Sequence, residues 1–158
     1  MKYKFNSSGG YMSACLTKKA TGEKIQLSHL HKNLLTNNAR DSFHASVYTN
    51  TAAGTRGFGF VAVTTDTANP SASDTTLAQE LSGSGFARAD ATTKTHSSGT
   101  NSSTVEHTFT ASGTVNSIVK SGTFNNAANT ILGHEATFTS ASLISGDTLK
   151  VTWTLNLG

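Results

Sequence analysis

Toward the C-terminus, apolar and polar residues alternate one for one. Leu149, Val151, Trp153, Leu155 and Leu157 occupy one set of positions, and Lys150, Thr152, Thr154 and Asn156 the other. Successive strand side chains point to opposite faces, so this run predicts a strand with one buried face. The pattern recurs over Thr104–Ala111, with Val105, His107, Phe109 and Ala111 inward and Glu106, Thr108 and Thr110 outward. Leu132, His134, Ala136 and Phe138 form one face of a further strand. Phe86–Lys94 reads as another, and Val115–Phe124 as a less regular strand carrying a bulge. Turns rich in Ser, Gly or Asn fall at 96–101, 125–129 and Gly146-Asp147.

The N-terminal half is more varied. Gly57–Val63 has apolar residues on both faces and is expected to be a central strand. Residues 66–76 form a loop holding Pro70, and Asp74 is placed to cap a short helix over 75–81 with Leu77 and Leu81 facing inward. Ser82-Gly83-Ser84-Gly85 ends it. The strongest helix signal lies at 36–47, where Leu35, Ala39, Phe43 and Val47 recur every four residues and Thr36 or Asn37 can cap the start. Residues 1–32 hold two short strand patterns around a Thr21-Gly22-Glu23 turn. A lone hairpin is marginally stable, so this segment is expected to lie on a neighbouring surface. The expectation is an extended N-terminal arm (1–32) and one β-rich domain (33–158). The fold class is mainly β, an antiparallel sandwich or barrel-like domain with one or two short helices.

Composition narrows the class. Hydrophobic residues, Ala included, make up 35% and charged residues 13% of the 158, the remainder being dominated by Thr, Ser, Asn and Gly. Such residues favour strands and turns, and so little charge argues against charge-driven disorder. The lone Cys15 rules out an intrachain disulfide. The net charge of +3 is scattered, densest at Lys18, Lys19 and Lys24, and forms no basic stripe of the kind nucleic acid requires. No run is long and apolar enough for a membrane helix, and Met1–Gly10 lacks the apolar core of a signal peptide. The expectation is cytoplasmic synthesis without signal-peptide export, with no direct nucleic-acid or membrane partner.

Catalytic and metal chemistry find little support. His29 and His31, two apart, would share one strand face, but a metal site needs three or four ligands. His107 and His134 fall on inward faces and read as hydrogen-bonded core histidines. The nine acids are dispersed along the chain, and Asp74 and Asp147 sit where cap and turn chemistry accounts for them. No serine lies in a Gly-x-Ser-x-Gly elbow. Gly57-Phe58-Gly59 lacks the lysine-serine of a phosphate loop. Tyr3, Tyr11 and Tyr48 are single tyrosines of the kind used in packing or interfaces as often as in sugar stacking. The chain is expected to be no enzyme, with no catalytic, cofactor-binding or metal-binding residues and no cofactor. A carbohydrate-binding module is a further class the composition would accommodate.

One ordered series of short motifs goes further. Phe60–Asp66 leads to Ala68-Asn69-Pro70, then Ser73-Asp74-Thr75-Thr76-Leu77, Glu80-Leu81 and the Arg88 of Phe86-Ala87-Arg88-Ala89. Thr108–Ala111, Thr123-Phe124-Asn125, His134–Phe138 and Ser145–Thr154 follow in the same order. Over roughly residues 33–158 this resembles small β-rich virion structural proteins of tailed bacteriophages, namely capsid decoration (cement) and tail-fibre-type proteins. The resemblance implies a homo-oligomer, expected to be a trimer, on the capsid exterior. Its partner would be the major capsid protein or another virion protein, and its task to clamp neighbouring coat subunits and stabilise the head. The alternative it implies is a tail or tail-fibre protein involved in host attachment.

Overall fold

The alternating runs become two five-stranded antiparallel sheets in the computed structural model, which describes residues 10–32, 34–39, 57–98, 102–128 and 131–156. The first sheet centres on β10 (Thr148–Asn156). On one side β10 pairs with β7 (Ser102–Thr110), followed by β6 (Thr93–His96). On the other it pairs with β1 (Tyr11–Thr17), followed by β2 (Lys24–Lys32). Register explains the core. Trp153 stands between Met12 and Val105, Val151 between Ala14 and His107, and Leu149 between Leu16 and Phe109. The apolar sets of three strands thus share one face, and Met12, Leu149, Val151 and Trp153 are wholly buried.

The second sheet runs β3 (Leu34–Leu35), β9 (Leu132–Leu143), β8 (Val115–Phe124), β4 (Phe60–Thr64) and β5 (Ala89–Asp90). Its Val61, Val63, Ile118, Ala136, Phe138 and Leu143 meet the first sheet in one continuous core. The architecture is a two-layer sandwich, and neither sheet closes into a barrel. β4 lies inside its sheet, and four of its five residues are buried, as apolar residues on both faces predict. β8 departs from regular pairing after Val115, Ile118 and Thr123, and Ser117 has a φ of 58°, so the expected bulge is present.

Four expectations change. Residues 10–32 are not an arm: β1 is an interior strand hydrogen-bonded to β10, and Met12, Ala14, Leu16 and Leu27 are core residues. Pairing with the chain's last strand satisfies a hairpin that could not stand alone. Residues 75–81 do not form a helix. Asp74 instead accepts the backbone N–H of Ser71 at 2.9 Å, closing a turn, and Gln79 has a φ of 51°. Phe86–Lys94 is not one strand. The chain leaves the second sheet after β5 and enters the first at β6, crossing at the buried Ala91. Leu132 does not share the face of His134, Ala136 and Phe138: across the register shift between Thr123 and Phe124 it turns to the outer side, beside Ala62 and Phe124. The helix at 36–47 is described only at its start, where Thr36 Oγ1 accepts the Ala39 N–H at 3.2 Å as an N-cap. Residues 40–47 lie outside the described residues.

Burying a large apolar side chain contributes about 1.5–3 kcal/mol, so Met12, Leu16 and Leu27 carry a substantial share of a typical domain stability. A chain of residues 33–158 alone is therefore expected to lack a cooperative thermal transition by circular dichroism. A truncated domain that melts like the full chain would contradict the assignment of β1 and β2 to the core.

Candidate functional site

Residues 65–81 leave β4, cross the outside of the second sheet and return to it, forming a strap. Alternation decides what lies beneath. Val61 and Val63 face the main core, so Ala62 faces the other way. Ala62 joins Leu77 of the strap, Phe124 and Leu132 in a second small apolar cluster. Gly122 makes this approach possible, because a Cβ there would come within 2.9 Å of Leu132 Cδ1 and 3.5 Å of Leu77 Cδ1. Two backbone ties fix the strap's far end. Leu81 N–H donates to Val63 O at 3.0 Å, and the Thr64 hydroxyl donates to Ala78 O.

Register places two charged residues on the same covered face. Lys120 is opposite Thr64, and Glu135 is opposite Gly122. Both are almost fully buried, at 2% and 1% exposure. A charge without partners in such a place is strongly unfavourable, and the strap supplies them. Lys120 Nζ donates to Asp66 Oδ2 at 2.7 Å and lies 3.8 Å from Glu135 Oε2. Ser71 N–H points at both carboxyls, 3.0 Å from Glu135 Oε1 and 2.9 Å from Asp74 Oδ2. Burial, reinforced by the hydrogen bond to Asp74, pushes the Glu135 carboxyl up to about 7. The same bond holds Asp74 below the usual carboxylate range. The bond to Lys120, with a second from the Ala68 N–H, does likewise for Asp66. The pair Asp74–Glu135 therefore shares one proton below about pH 7. Above it lies a polar cleft of about 300 Å³ whose walls include Asp66, Asn69, Ser73 and Asp74.

A second clasp closes the strap. Arg88 donates through Nε to Glu80 Oε1 at 2.9 Å and through Nη2 to Glu80 Oε2 at 2.5 Å. Its guanidinium also stacks on Phe124, 3.6 Å from the ring centroid. The acid and the arginine of the motif series are thus direct partners.

The residues weighed from sequence fall elsewhere. His29 and His31 lie on β2. His134 faces the core, where Nδ1 meets Thr123 Oγ1 at 3.0 Å and burial lowers its pKa to about 4, so it is neutral. His107 packs edge-on against Phe109, and burial lowers its pKa as well. Asp147 accepts the Lys19 and Ile144 N–H groups and the Lys18 ammonium, joining two turns. Lys18 of the basic cluster is thereby tied into a structural ion pair. Tyr11 is on β1 and 41% exposed, whereas Tyr3 and Tyr48 lie outside the described residues. Among the described residues no three His, Cys, Asp or Glu side chains are grouped to hold a metal ion. The grouping that sequence reasoning missed is Asp66, Asp74 and Glu135 around Lys120. The available signal was a lysine and a glutamate in mid-strand among small and apolar neighbours. Comparison with known protein families, curated proteins and solved structures gave no match.

The site fixes a pH dependence. The folded state raises the Glu135 pKa from 4.5 to about 7, so its contribution to stability declines as pH rises through that window. His134, lowered from 6.5 to about 4, works in the opposite sense, its neutral form being favoured as pH rises. Comparison with Glu135→Gln separates the two. The stability of the wild type relative to this variant, from urea unfolding, should fall between pH 4.5 and 7 and then level off. A difference independent of pH would refute the shared proton.

Proposed function

We propose that this chain is a structural protein of a virus particle: a capsid decoration protein of a tailed phage. It acts as a homotrimer on the head exterior and clamps neighbouring coat subunits. One observation carries the reading. The first part of the motif series that resembles virion proteins, Phe60 to Arg88, coincides with a single structural unit, the strap and its clasps. Asp66 ends the first motif and meets Lys120, Asp74 meets Glu135, Leu77 plugs the outer cluster, and Glu80 meets Arg88. Residues of these motifs thus hold one another in place across the outer face of the second sheet, which supports reading them as one unit.

The remaining support is physical. A decoration protein needs a rigid body that keeps its shape under load. A two-sheet core with a covered outer face fits that need. The low charge and the abundance of Ser and Thr suit a body whose outside is shared between solvent and neighbouring protein. Since residues 10–32 belong to the sandwich, clamping is assigned to the surface of the folded domain.

The test is to mix purified protein with heads that lack it and image the particles, with light scattering to give the oligomeric state. Saturable binding to the head by a trimer is expected. Density confined to the tail would replace this reading with host attachment. Absence of any particle binding would overturn both.

A further inference from the structure

We propose that Lys120 and Asp66 condense into an intramolecular amide, an isopeptide bond, with Glu135 as the proton shuttle. The proposal stands independently of the virion reading.

Geometry supplies the reactants. The Lys120 nitrogen is 2.7 Å from an Asp66 carboxyl oxygen and 3.8 Å from Glu135 Oε2, so nucleophile, acyl carbon and a second carboxyl converge at one point. They come from three elements held in fixed register: the root of the strap beyond β4, then β8 and β9. Such placement can act as an effective concentration on the order of 10⁵–10⁸ M. Lys120 and Glu135 are almost fully buried, and together with Asp66 they line the floor of the polar cleft, which gives a released water a way out. With its carboxyl raised to about 7, Glu135 exchanges a proton readily near neutrality, as a shuttle must.

The other ion pairs among the described residues lack one part or another. Lys18–Asp147, at 3.1 Å, has an amine that is 30% exposed, and no other acid pairs with it. Lys94–Asp90 and Lys150–Glu106 have amines 46% and 50% exposed. Arg88–Glu80 has no amine nucleophile.

The step balances without a co-reactant. The Lys120 ammonium loses a proton to the carboxyl network, and the nitrogen lone pair attacks Asp66 Cγ. A C–N bond forms and one C–O bond breaks. That oxygen leaves as water with two protons from the former ammonium, one relayed through Glu135. The third stays on the amide nitrogen, and nothing is oxidised or reduced. The product would tie residues 54 positions apart in a chain whose single cysteine precludes an internal disulfide.

The test is the intact mass of the full chain under denaturing conditions. The expected result is a mass one water below that of the summed residues, with a proteolytic fragment joining the Lys120 and Asp66 peptides. Lys120→Arg and Asp66→Ala should each have the full summed mass. Glu135→Gln should do so while retaining the wild-type circular dichroism spectrum. Wild-type protein at the full summed mass after incubation at neutral pH would overturn the proposal. So would a water loss that persists in Lys120→Arg or in Asp66→Ala, whichever of the two folds. Cross-linking at an undiminished rate in Glu135→Gln would remove Glu135 from the mechanism.

Discussion

An ammonium and a carboxyl lie under cover on the outside of the second sheet, and that constraint organises the molecule. Lys120 and Glu135 sit on a face that strand alternation would normally leave to solvent, yet both are buried. Neither can be covered without partners, because desolvating an unpaired charge outweighs any gain from packing beneath a loop. The strap answers with Asp66 for the lysine, and with Asp74 and the Ser71 N–H for the glutamate. Leu77 and the Arg88 clasp follow from the same cover, one filling the space over Gly122 and the other closing the end. β4 thus becomes a strand buried on both faces, which is why its sequence reads as continuously apolar.

Legibility tracked how local the information was. β7 and β10 each have one face in the core and one outside, so their alternation could be read residue by residue. The split of Phe86–Lys94 between two sheets could not, since the crossing at Ala91 breaks no local pattern. Residues 10–32 looked like an arm because their few large apolar side chains cannot form a core alone. Pairing of β1 with β10, almost the full chain length away, completes that core, and no window of neighbouring residues reports it. Asp74 with Leu77 and Leu81 fits a capped helix and a turn with an apolar plug equally well. What decided between them was the uncovered Ala62, Phe124 and Leu132 on the sheet beneath.

The candidate site was the least legible part for the same reason. Asp66, Asp74, Lys120 and Glu135 are scattered along the chain, and each alone has an ordinary explanation as a loop, cap or strand-surface residue. Their grouping depends on the register of β4, β8 and β9 together with the path of the strap. The motif series did contain Asp66, Asp74, Glu80, Arg88 and Glu135. What it did not reveal was that these residues form one connected set of contacts, in which a buried lysine outside the series is the hub.

Native-state hydrogen exchange of the strap is the most direct test of this arrangement, because protection reports how often a segment opens. If the strap is a true third layer, the Ser71 and Leu81 amides should exchange on the same slow scale as the amides of β8. If instead they exchange as fast as those of the exposed turn at Thr21-Gly22 while β8 stays protected, the strap is a detachable loop, and the central claim fails.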